Sequence, residues 1–138
     1  SEEYGLPITK VQEINRLVPV TKLPQTPTFL EGIINLRGRI IPVIDLRKRF
    51  EMAITDHDDD TRIIIVEIKG QIVGLTVDAV TEVIRINTAD IELPPESVAV
   101  DSRYVDGVGK IDERLIILLD IDNILTGQEE LTVKKISG

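Results

Sequence analysis

Gly32-Ile33-Ile34-Asn35-Leu36-Arg37-Gly38-Arg39-Ile40-Ile41-Pro42-Val43-Ile44-Asp45-Leu46 reads as two strands folded about a turn at Gly38, a residue that takes positive φ without strain. The pattern returns 75 positions later. Gly107 to Ile121 aligns on it without gaps, keeping Gly32/Gly107, Arg39/Arg114, Ile41/Ile116 and Asp45/Asp120, with apolar residues facing apolar ones in most other columns. A second block precedes each copy: Gly5 to Arg16 aligns on Gly74 to Arg85 at an offset of 69, with five of twelve columns identical. Ordinary composition would give about one. The second copy therefore carries six extra residues between its blocks, in the proline-bearing stretch from Leu93 to Asp106.

A repeat of this kind fixes architecture more firmly than the propensity of any one residue. The repeated units are β in character, because 22 Ile and 14 Val supply side chains that suit a pleated, half-buried surface. Arg39 to Ile44, Arg62 to Ile68, Gln71 to Val77 and Arg114 to Leu119 are the clearest strands, each bounded by Gly, Pro or Asp. Helical spacing is brief. Asp45 before Leu46 to Phe50 and Asp120 before Ile121 to Leu125 each read as an N-cap opening a short helical turn, and Gly127 stands where a C-cap belongs. The expected fold is thus all-β, two small units related by a pseudo-twofold repeat, with lobes of about 1–55 and 60–127 inside a single domain spanning 1–138.

One strand lacks its counterpart. The second unit is led by Thr61 to Lys69, but the first begins almost at Ser1, which aligns on Gly70. Its leading strand would fall before residue 1, unless Leu131 to Ile136 takes that edge. An open edge also invites pairing with a second copy, a strand-exchanged dimer.

Composition removes whole classes of function. With 16 Lys and Arg against 24 Asp and Glu the net charge is −8, and no basic stripe exists for a nucleic-acid backbone. Four aromatics, Tyr4, Phe29, Phe50 and Tyr104, make no base-stacking platform. The chain has no cysteine and one histidine, His57, so disulfides, thiolate metal sites and a Ser-His-Asp arrangement lack their parts. The longest apolar run, Leu115 to Leu119, is far short of the roughly 20 residues of a membrane span. These features together predict a soluble cytoplasmic protein that needs neither cofactor nor metal and does not insert in a membrane.

Two acidic patterns invite chemistry and fail on inspection. Asp56, Asp58, Asp60 and Glu67 match positions 1, 3, 5 and 12 of a calcium loop, but Thr61 occupies the glycine position and Arg62 to Val66 is strand-like. Asp120 and Asp122 would serve as paired carboxylates, yet Asp120 is better explained as the helix cap that Asp45 is in the first unit. No enzymatic function is expected. A small acidic hydrolase or metal-binding module remains the alternative from another class.

The sharper signal is Arg37 at the hairpin turn. The equivalent turn of the second unit, Lys110-Ile111-Asp112-Glu113, has neither arginine nor glycine, so folding alone does not demand Arg37 or Gly38. A guanidinium fork displayed on an acidic protein suits a carboxylate or carbonyl of a partner.

Taken together, Glu3-Tyr4-Gly5-Leu6-Pro7-Ile8 leading to Val11-Gln12-Glu13-Ile14, Pro27 to Arg37, Pro42-Val43-Ile44-Asp45-Leu46 and Gly74-Leu75-Thr76-Val77-Asp78 resemble the CheW family over nearly the whole chain. That resemblance implies two SH3-like five-stranded β-barrels and an adaptor of bacterial chemotaxis, which couples chemoreceptor signalling tips to the histidine kinase CheA through the kinase's regulatory domain. It implies a receptor-facing surface of Val11, Glu13, Gly32, Asn35 and Arg37, with Ile33 and Gly38 alongside, in a groove between the two units. Val11 and Gly32 serve equally well as ordinary core and turn residues. A regulatory domain of a chemotaxis kinase, or the adaptor half of an adaptor–receiver fusion, would carry the same motifs.

Overall fold

The computed structural model describes residues 3–24, 30–49, 59–80, 83–93 and 102–125 and places nine strands among them. They are β1 (Glu3–Gly5), β2 (Val11–Arg16), β3 (Leu30–Leu36), β4 (Arg39–Asp45), β5 (Arg62–Ile68), β6 (Gln71–Val77), β7 (Ile91–Glu92), β8 (Val105–Ile111) and β9 (Arg114–Leu119). One α-helix, α1 (Leu46–Arg49), and four short 3-10 turns complete the described elements. The protein is all-β.

Two sheets result, one of order β2-β5-β6-β4-β3 and one of order β1-β9-β8-β7. The repeat holds down to the register. Leu30↔Ile44, Gly32↔Val43, Ile33↔Pro42, Ile34↔Ile41, Asn35↔Ile40 and Leu36↔Arg39 in the first hairpin become Val105↔Leu119, Gly107↔Leu118, Val108↔Ile117, Gly109↔Ile116, Lys110↔Leu115 and Ile111↔Arg114 in the second, every residue displaced by 75. Both hairpins carry an irregularity at the same place, between Leu30 and Gly32 and between Val105 and Gly107. The parallel pairings correspond too: Val43↔Gly74 between β4 and β6 matches Leu118↔Gly5 between β9 and β1.

Those parallel pairings mean that the halves exchange strands. β1 joins the sheet of β7, β8 and β9, while β5 and β6 join the sheet of β2, β3 and β4, so neither sheet respects a division into lobes 1–55 and 60–127. Among the described residues the two sheets are also unequal, one of five strands and one of four. The second sheet has four strands among the described residues, and β1 is its edge, whereas the matching β6 lies between β5 and β4. Among the described residues, the segment that the repeat sets against β2 finds no counterpart of β5 beside it, and residues 83–87 run outside any strand with Val83 73% exposed.

The five-stranded sheet is packed on both faces, which explains the unbroken run Ile63-Ile64-Ile65-Val66 in β5. Ile63 and Ile65 point with Ile34, Ile41 and Val43 into one core, covered by Leu17, Val18 and Val20 of the segment after β2. Ile64, Val66 and Ile68 point into the other, where Ile121, Ile124 and Leu125 of the second half pack on Ile44 and Leu75. Burial of each such side chain is worth about 1.5–3 kcal/mol.

The two expected caps differ. Asp45 is 5% exposed and its Oδ1 accepts from the Arg47 N–H at 2.9 Å, a true N-cap of α1. Asp120 makes no side-chain cap bond, and its Oδ2 instead accepts from Asn123 Nδ2 at 2.6 Å. It opens only a single 3-10 turn, Ile121–Asn123. Gly127 and Leu131 to Ile136 lie outside the described residues.

Candidate partner-binding site

The path of the chain around the first core brings the edges of the five-stranded sheet together. β2 and β3 are its two edges. After β2 the chain crosses to β3, where Thr21 N–H donates to the Ile33 carbonyl at 2.8 Å and Ile33 N–H to that of Thr21 at 2.9 Å. Gly32 is what allows this crossing. A Cβ there would stand 2.8 Å from Val20 Cγ1 and closer still to the Thr21 carbonyl oxygen. Its twin Gly107 does the same work under β7, where a Cβ would meet Glu92 O at 2.9 Å. The glycine shared by the two blocks is therefore a packing glycine, buried in both halves.

At the turn of the β3–β4 hairpin, Arg37 has φ 53° and Gly38 φ 83°, the left-handed pair of a tight two-residue turn. Asn35 Oδ1 accepts from the Gly38 N–H at 2.9 Å and fixes that turn. Asp112 repeats the φ of 53° at the second hairpin, so the backbone geometry is common and the side chain is not.

Arg37 holds Glu13. Its Nη2 donates to Glu13 Oε2 at 2.5 Å, linking the β3–β4 hairpin to β2 on the opposite edge of the sheet. Asn15 Nδ2 donates to Glu13 Oε1 at 2.6 Å. These two donors, Arg37 foremost, hold the Glu13 carboxyl below the usual carboxylate range. The Arg37 side chain is nonetheless 68% exposed, so the guanidinium is oriented by Glu13 while its remaining donors face outward.

A bulge in β2 separates the expected residues. Val11 lies opposite Val66 and packs on the core between the sheets, whereas Glu13 lies opposite Ile65 and Asn15 opposite Ile63, whose side chains fill the other core. The extra residue, Gln12, turns the strand over. Glu13, Asn35, Arg37 and Gly38 thus meet at one exposed rim, with Ile33 half-buried on β3, while Gly32 is buried beneath and Val11 belongs to a different face. A polar cleft is lined by Thr9, Lys10, Glu67, Lys69, Gly70 and Asp122.

Two contacts that sequence reading missed tie the halves together. Arg47 of α1 donates from Nε and Nη2 to both carboxylate oxygens of Asp78, the former at 2.5 Å. Near the corresponding junction Lys10 Nζ lies 3.4 Å from Asp122 Oδ2. Asp122 is the repeat counterpart of Arg47, whereas Asp78 aligns on Thr9, the residue before Lys10. No group of three or more ligating side chains that could hold a metal occurs among the described residues, and no helix among them is long and apolar enough to cross a membrane.

Comparison with known proteins agrees with this architecture. Residues 1–129 match the CheW-like domain. The chain is 38% identical to the chemotaxis protein CheW of Klebsiella aerogenes over 99% of its own length and 83% of the relative's. It is 41% identical to CheW of Thermotoga maritima over 84% of its length and 74% of that protein's. Among solved structures, the scaffolding protein TtCheW of Thermoanaerobacter tengcongensis superposes with a TM-score of 0.85 at 50% identity, covering 94% of this chain and 86% of that one. With the repeat, the two sheets and the matched motifs in agreement, the chain belongs to the CheW family of chemotaxis scaffold proteins.

Proposed function

We propose that this protein is a non-enzymatic cytoplasmic adaptor that couples the signalling tip of a chemoreceptor to the histidine kinase CheA by docking on the kinase's regulatory domain. The observation that carries the reading is the exposed Arg37, oriented by Glu13 and Asn15 at a hairpin whose twin builds the same turn from an acidic residue. Val11, Glu13, Gly32, Ile33, Asn35, Arg37 and Gly38 form the receptor-facing region, to which Gly32 contributes from beneath and Val11 from the other face of β2. Coupling requires only that the adaptor contact two receptor states with different free energies, since equal affinity shifts nothing.

The test is binding to a soluble chemoreceptor cytoplasmic fragment. Arg37→Ala should weaken it by about tenfold with the thermal midpoint nearly unchanged, because an exposed ion pair contributes little to folding. A collapse of the midpoint together with binding would make Arg37 structural and remove the site.

A further inference from the structure

The repeat singles out a second arginine. Arg39 and Arg114 occupy one identical column of the two hairpins. In the second half the guanidinium is used internally: Arg114 Nε donates to Glu3 Oε2 at 3.0 Å and Nη2 to Glu3 Oε1 at 2.8 Å. In the first half the counterpart of Glu3 is Ile72, which has no oxygen to offer and packs against the apolar core. Arg39 is exposed, and no hydrogen bond or ion pair holds it among the described residues.

Position gives this arginine a setting. Arg39 stands opposite Leu36, which packs against the core that Ile34, Ile41 and Val43 fill. Ile40 beside it is 41% exposed, and Arg37 is two residues away at the same turn. Half-buried Leu36 and exposed Ile40, with two cations beside them, complement a helix that presents an apolar stripe flanked by carboxylates. On a chain of net charge −8, a guanidinium without an internal carboxylate is available for one on another molecule.

We infer that Arg39 is a second recognition residue of the proposed receptor site, taking a carboxylate on the partner helix beside the contact made by Arg37. This role rests on the adaptor reading. It assigns a different task to each twin: Arg114 holds its own chain together and Arg39 selects a partner.

Titration of the wild type and variants with a soluble, coiled-coil chemoreceptor fragment tests it, by calorimetry at low and at physiological salt. Wild type binds, and Arg39→Glu should weaken binding about tenfold or more, since a like charge then faces the partner's carboxylate. Arg39→Lys keeps the charge but loses the fork and should fall between them, and the wild-type advantage should shrink as salt rises. Thermal midpoints should stay together, because Arg39 has no internal partner to lose. If wild type binds and Arg39→Glu binds equally well, the role of Arg39 is overturned and the adaptor reading stands. If wild type does not bind at all, the adaptor reading itself fails and this inference with it.

Discussion

The β3–β4 and β8–β9 hairpins share six register pairs, a bulge at the same position and a buried glycine, yet differ in nearly every polar side chain they expose. The features that coincide belong to the fold. Gly32 and Gly107 admit a crossing segment, and positive φ at Arg37 and Asp112 closes each turn. What differs is available for function: the turn residue, Arg37 against Asp112, and the partner of the shared arginine, which Arg114 finds in Glu3 and Arg39 does not find among the described residues. Duplication supplies an internal control that a single hairpin lacks, because a residue the twin does without is not required by the shape.

The largest effect that would test this division is at the glycines. Gly32→Ala places a Cβ against the Thr21 carbonyl, a backbone atom that cannot swing aside, and should cost on the order of 3 kcal/mol or more. Gly107→Ala meets the Ile91 side chain at 2.8 Å as well as Glu92 O at 2.9 Å, and part of that contact can yield. Its loss in urea unfolding should be smaller but still marked. A Gly32→Ala protein as stable as wild type would show that the crossing segment moves freely, and the glycine column would lose its structural explanation.

Next in size is the pair of aspartates that open the turns after β4 and β9. Asp45→Ala removes a buried side-chain cap and should destabilise by about 1 kcal/mol, up to about 2. Asp120→Ala removes only an exposed contact to Asn123 and should fall within about 0.5 kcal/mol of wild type. Equal losses would mean that Asp120 caps its turn in solution as the sequence suggests.

Much of the fold was legible in the sequence because its signals are local. β5, β6 and β9 begin and end where apolar runs and turn residues place them, and β4 extends one residue further, to Asp45. The strand exchange was not legible, since pairing of β4 with β6 and of β1 with β9 depends on which edges meet after each half has formed. At the site, the turn and its arginine were visible, but the ion pair was not. Glu13 and Arg37 lie 24 residues apart, and only curling of the sheet brings its edges together. The separation of Val11 from Glu13 was hidden by the bulge at Gln12, where alternation along β2 ceases to report a single face. Gly32 was ambiguous until its match with Gly107 proved to have a common cause.

The smallest effect concerns the residues displaced by the two bulges, Glu31 and Asp106, acidic twins in opposite surroundings. Glu31 Oε2 accepts from the Thr76 hydroxyl at 2.7 Å. Asp106 has no such donor among the described residues; burial, and then the charges of Asp120 and Asp122, push its carboxyl above the usual range. A raised folded-state pKa means that ionisation costs the native state. The penalty is absent below the unfolded value of about 3.9, grows as pH rises to the raised folded value and is complete above it. Asp106→Asn should therefore be slightly more stable than wild type near neutral pH, by an amount that solvent screening keeps small, and the advantage should vanish by about pH 3. Urea midpoints at the two pH values decide it. An advantage that persists in acid would come from packing rather than charge, and the contrast between the twin bulges would then lie in shape.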